Sequence, residues 1–272
     1  MNPKRRRLVI KVAILPTLFT LGNLLCGFGA IIAVSGQQFV ISAWLIIIGI
    51  GLDAIDGWMA RLVKSASQFG MELDSLADII SFGVAPAFLT YQMINQQQAH
   101  LISYKFTLLL AGFYVTCAAL RLARYNSEKT DEPAVSYYFK GLPSPTAAGL
   151  VSMLIIMHYE LISTYGISNP RIILWLILPL LTMISAALMI SRIRYTHLMH
   201  KIAHARQSFI RFIETVVVIL IVIFKPEEML ALAFILYTLS GPIGYLRSLI
   251  IPKPKGTVYP VNEADERNRR TT

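Results

Sequence analysis

Charge is scarce in this chain of 272 residues. Only 15% of them are Asp, Glu, Lys or Arg, against about 25% in an ordinary soluble domain, while 55% are hydrophobic and the mean hydropathy is +0.59. That balance excludes a soluble globular fold. Cysteine is scarcer still: Cys26 and Cys117 both lie inside apolar runs, so no disulfide framework holds the chain and both read as small packing residues. The strict alternation of barrel strands is missing, because the apolar residues come in runs near the length of a membrane-spanning helix, about 20 residues. Acid is the rarer sign, with 15 Asp and Glu against 25 Lys and Arg and a net charge of +10. The excess base does not point to nucleic acid. It sits in short clusters between apolar runs, as the positive-inside rule and anionic lipid require. Neither an internal repeat nor the paired interrupted helices of inverted-repeat transporters can be found. What remains is an all-α integral membrane protein.

Apolar runs at 15–34, 39–62, 70–93, 106–122, 143–159, 172–190, 212–224 and 229–250 predict a helical bundle of about eight transmembrane helices, the seventh run being short enough for an interfacial or re-entrant element. The basic leader MNPKRRRLVIK could open a secretory signal, but the next run is long for one and has no small-residue cleavage site. The first span is therefore read as uncleaved, with a cytoplasmic N-terminus. Lys and Arg then alternate in density: the KRRR cluster, Arg61 and Lys64, Arg121 and Arg124, the 192–211 stretch and the tail fall on one side, and little beyond Lys105, Arg171 and Lys225 on the other. Both termini are accordingly expected in the cytoplasm. Gly22, Cys26, Gly29 and Ala33 recur at helical spacing and allow close helix approach. Such a face is compatible with a homodimer as well as with packing inside one chain.

Against this apolar background stand four aspartates, in the stretch 53–78, DAIDGWMARLVKSASQFGMELDSLAD. An ionised carboxylate in or beside a membrane segment costs several kcal/mol unless it is neutralised. Asp53 and Asp56 are three apart and Asp74 and Asp78 four apart, so each pair falls within about 60° on one helical face. A short link joins the two helices, which must then pack as antiparallel neighbours and bring all four acids together near the cytoplasmic side. Arg61 and Lys64 are two bases against four acids. An oxygen-lined cavity for a hard divalent cation is the better account.

As a pattern the stretch is D53-x2-D56-G57-x2-A60-R61-x8-G70-x3-D74-x3-D78, and at every fixed position it resembles the motif of the CDP-alcohol phosphotransferase family of integral membrane enzymes. The resemblance implies a six-helix membrane core on which the pyrophosphate of a CDP-linked lipid is cleaved, CMP leaving and an alcohol hydroxyl taking the phosphatidyl group. It further implies that Asp53, Asp56 and Asp74 hold divalent metal, Mg²⁺ or Mn²⁺ and two ions in all, with Asp78 near the second ion and acting as the base. Gly57, Ala60, Gly70 and Arg61 would receive the cytidine diphosphate, and Asn23 would lie beside it. The expected division is a basic cytoplasmic leader at 1–14, the family core at 15–191, a basic cytoplasmic segment at 192–211, two additional C-terminal helices at 212–251, and a disordered cytoplasmic tail at 252–272.

Further stretches, PTLFTLGNLLCGFGAI, DSLADIISFGVAPAFL, ALRLARYN and YFKGLPSPTAA, are similar to the bacterial phosphatidylserine synthase branch of that family. They imply CDP-diacylglycerol and L-serine as substrates at the cytoplasmic face of a bacterial inner membrane. Serine brings an α-carboxylate, for which Arg121 and Arg124 can form a clamp, and Ser81 and Lys140 are further candidates for its pocket. Ordinary alternatives exist: arginines at helix ends are common topology signals, and intramembrane serines often bond to their own helix. A phosphatidylglycerophosphate or phosphatidylinositol-phosphate synthase would share the aspartates. A divalent cation transporter would need acids spread through the membrane depth. His197, His200 and His204 share a helical face but have no acidic or cysteine ligand nearby, and read as part of a basic interfacial helix.

Overall fold

The computed structural model describes residues 3–63, 68–97, 103–131, 138–164, 176–196 and 226–250. In chain order the elements are α1 (Pro3–Ser35), α2 (Phe39–Val63), α3 (Gln68–Asp78), a π turn (Ile79–Val84), α4 (Ala85–Gln97), α5 (Tyr104–Asp131), β1 (Tyr138–Lys140), α6 (Ser144–Ser163), α7 (Leu178–Ile190), β2 (Arg194–Thr196) and α8 (Pro226–Ile250). Among the described residues six helical stretches are long and apolar enough to cross a membrane, the third being α3, the π turn and α4 in sequence, and α7 is a shorter apolar helix. The protein is a multi-pass membrane protein. Seven of the eight expected spans coincide with helices; the run at 212–224 lies outside the described residues, as do His197, His200 and His204. The leader adds no separate element where it is described, since α1 is already helical from Pro3.

Small residues decide which helices meet. α1 and α2 form an antiparallel pair closed by a tight link, in which Gln37 takes the left-handed conformation with φ 63° and its N–H caps the Val34 carbonyl at 2.9 Å. The core between α1, α2, α4, α5, α6 and α7 contains Ala30, Ile46, Phe82, Leu89, Met93, Tyr114, Ala147, Met153 and Met189, all essentially inaccessible. Leu25, Phe28, Leu108, Leu109, Leu236 and Ile243 face outward, as a surface wetted by lipid rather than water requires.

One helix is not regular. The wide turn at Ile79–Val84 carries an i to i−5 bond from the Ala85 N–H to the Ile80 carbonyl. It ends just before Pro86, which has no N–H and whose ring would strike the carbonyl of Phe82 in a straight α-helix, so the widening has a local cause. The bundle also gains a feature that the all-helical expectation did not contain. β1 and β2 pair antiparallel, with Phe139 opposite Tyr195 and Lys140 opposite Arg194, and so tie the link before α6 to the link after α7. Gly141, at φ 85°, turns the chain out of β1 where a Cβ would meet the Ser191 carbonyl at 3.0 Å.

Candidate active site

The site lies at the end of the bundle where α2 leaves and α3 enters. Asp53 and Asp56 project from the last turns of α2, Asp74 and Asp78 from α3, and one carboxylate oxygen from each of Asp53, Asp56 and Asp74 lies within 4.8 Å of the other two. Asp56 is buried, with 5% exposure, and the other three are half-buried. The Asp78 carboxyl stands outside that group of three but makes a hydrogen-bonded contact with Asp53. It also receives the Asn23 side-chain N–H at 3.5 Å, the outer limit of such a bond. Asn23, expected beside the cytidine diphosphate, is fully buried on α1 and meets the acids from that neighbouring helix. Thr20, one turn earlier on the same face, was missed: its hydroxyl donates to Asp56, and its spacing from Asn23 was the available signal.

This donor set fits a metal. Three convergent carboxylates carry more like charge than the neighbouring hydroxyl and amide donors can offset, and Asp56 Oδ2 is buried without a hydrogen-bond partner. All-oxygen ligation of that kind suits a hard divalent cation. Beside it, nothing lies within 4 Å of where a Cβ on Gly57 would point, which leaves the α2 backbone open to a bulky ligand. Gly70 is half-buried in α3. Ala60 and Arg61 lie on α2 and Lys140 on β1, but the side chains of these three are outside the described residues.

The two arginines of α5 part company. Arg121 is buried at 9% exposure, its Nη1 donates to Ser144 Oγ at 2.7 Å, and its charge reaches Asp78 and Asp53. Its Nε has no hydrogen-bond partner. Arg124 donates from Nη1 to the Ile190 carbonyl at 3.0 Å and from Nη2 to Met189 at 3.4 Å, capping the C-terminal end of α7 as a cation should. Spacing alone put both on one face; the arrival of α7 separates their contacts. Ser144, at the first turn of α6, is a second residue the sequence reading passed over, although it stands between the two prolines that mark that turn. Ser81 is wholly buried and its hydroxyl donates to the Asn23 carbonyl at 2.9 Å. On α3, Ser75 accepts from the Asn126 side chain at 2.9 Å, a tie from α5 to the turn that carries Asp74.

Residues 13–183 match the sequence model of the CDP-alcohol phosphatidyltransferase family. The chain belongs to that family. The matched segment runs from α1 into α7 and contains all four aspartates, Asn23, Arg121 and Ser144. Relatives extend the likeness further. The chain is 32% identical over 232 residues to a CDP-diacylglycerol–serine O-phosphatidyltransferase of Helicobacter pylori, covering 85% of this chain and 90% of the relative. A protein of the same name from Methanocaldococcus jannaschii is 32% identical over 237 residues, 87% and 96% of the two chains. Another, from Bacillus subtilis, is 33% identical over 184 residues, 67% of this chain and 90% of its own.

Proposed function

We propose that the chain is a CDP-diacylglycerol–serine O-phosphatidyltransferase, an enzyme that transfers the phosphatidyl group of CDP-diacylglycerol to the hydroxyl of L-serine and releases CMP. The observation that carries this reading is the meeting of four carboxylates with one buried arginine, within a chain similar along most of its length to proteins of that name. Mg²⁺ or Mn²⁺, two ions in all that Asp53, Asp56 and Asp74 would hold with Asp78 adjoining, would supply neutralisation of the pyrophosphate charge when bound. The rest falls to the protein's own groups. Gly57 leaves room for the nucleotide, and Asn23 steadies the Asp78 carboxyl. Asp78 takes the proton from the serine hydroxyl as that oxygen bonds to the phosphorus next to diacylglycerol, while the bond from that phosphorus to the oxygen bridging to CMP breaks and CMP departs with the electron pair. Arg121, steadied by Ser144, binds the serine α-carboxylate.

The location follows from the same chemistry. Serine and CDP-lipid would meet at one membrane face; the distribution of Lys and Arg supports the cytoplasmic face, with both termini inside, and the resemblance to bacterial phosphatidylserine synthases supports a bacterial inner membrane. CMP release should be measured with L-serine, inositol, inositol phosphate and glycerol 3-phosphate in turn. Release with serine alone is expected. Release with glycerol 3-phosphate and none with serine would leave the family and sink the acceptor assignment.

A further inference from the structure

The family match ends at residue 183, yet α8 is built into the flank of the site. Pro242 lies inside α8 and has no N–H, so the carbonyl four residues earlier, that of Thr238, loses its helical donor. Tyr195 of β2 replaces it: the phenol donates to the Thr238 carbonyl at 3.3 Å. Gly241 makes this approach possible, because a Cβ there would stand 2.7 Å from the Tyr195 hydroxyl and closer still to its ring. Gly149 on α6 receives Phe234 in the same manner, a Cβ there coming within 2.8 Å of Phe234 Cδ1 and nearer to the ring tip. Two glycine sockets and a proline-freed carbonyl therefore set the rotation of α8. The face so oriented carries Tyr237, whose ring stacks on Tyr195 with centroids 5.8 Å apart and whose phenol lies within electrostatic range of Arg121.

We propose that α8 completes the acceptor pocket, Tyr237 donating its phenolic hydrogen to the α-carboxylate that Arg121 binds, so that the last helix selects for an amino-acid acceptor. This rests on the serine reading above. A carboxylate offers about four lone-pair sites, more than the unpartnered Nε and remaining N–H groups of one guanidinium fill in a single plane, and a neutral phenol is the donor that adds no charge next to Asp53 and Asp78. An acceptor without the carboxylate would leave buried donors unpaired, which is how a polar pocket rejects an analogue.

The test uses full-length Tyr237→Phe with CDP-diacylglycerol in mixed micelles; the ring and its stack on Tyr195 are retained. The KM for L-serine should rise roughly tenfold or more, while the KM for CDP-diacylglycerol stays within about twofold. The preference for serine over 2-aminoethanol, which lacks the carboxylate, should fall by the same factor. An unchanged serine KM would overturn the proposal, and so would a parallel rise in both KM values with a lowered melting temperature, the signature of lost packing. Wild-type protein that turns over glycerol 3-phosphate and not serine would instead bring down the acceptor reading itself.

Discussion

Asn in place of Asp78 keeps the size of the side chain and takes away the site for a proton. Turnover should fall about 100-fold or more, while CDP-lipid binding, measured by titration calorimetry, is largely kept; near-normal turnover would move the base elsewhere. Gly27 shows how closely α1 packs on the turn that follows Asp78. A Cβ at Gly27 would lie 2.7 Å from Ser81 Cα and closer to Ser81 Oγ, one turn beyond Asp78. Gly27→Ala must therefore push α1 off the π turn, destabilising the protein by about 1–3 kcal/mol in thermal unfolding; an unshifted melting temperature would refute the contact. The same close approach accounts for Ser81. Its helix position made it a fair candidate for an acceptor pocket, but its hydroxyl is engaged by the Asn23 carbonyl, and no spacing rule could have shown which helix would stand opposite.

The elements differ in how much of them was legible. Spans were, because about 20 apolar residues in a membrane protein have few alternatives to a helix. The π turn was not, although Pro86 marked it: proline in a span signals irregularity without saying which kind. The strand pair was invisible, since three residues a side have no period of their own and pair only because α6 and α7 bring them together. Tyr195 on β2 carries a pH prediction. Burial first, and then the neighbouring Tyr237, push its phenol from 10.0 up to about 12. The folded state thus holds a proton that the unfolded chain has already released, so this stabilisation is complete below pH 10 and is lost as the pH climbs towards 12. Tyr195→Phe should lose about 1–3 kcal/mol at neutral pH, where it strands the Thr238 carbonyl. It should also lack this part of the alkaline decline, so that melting curves of the two proteins converge between pH 10 and 12.

For the molecule as a whole, the acid cluster links ligand binding to folding. Four carboxylates repel at close range, and a cation that binds only the folded bundle adds about 2.7 kcal/mol of stability at 100 times its dissociation constant. Mg²⁺ or Mn²⁺ should raise the melting temperature of chelator-treated protein, and Asp53→Asn should abolish most of that rise; an equal rise in the variant would place the ion elsewhere. Composition, run length and the spacing of the aspartates by themselves determined the membrane class, nearly all the span positions and the identity of the four acids, because those depend on transfer free energy and on helical periodicity, which are local. Only the tertiary structure decided that Arg121 turns to the acids while Arg124 caps α7, that Ser81 braces α1, and that a helix beyond the family match lays Tyr237 on Tyr195. Each of these depends on which distant helix arrives alongside, and that is set by packing of small residues across the bundle, a quantity no single segment contains.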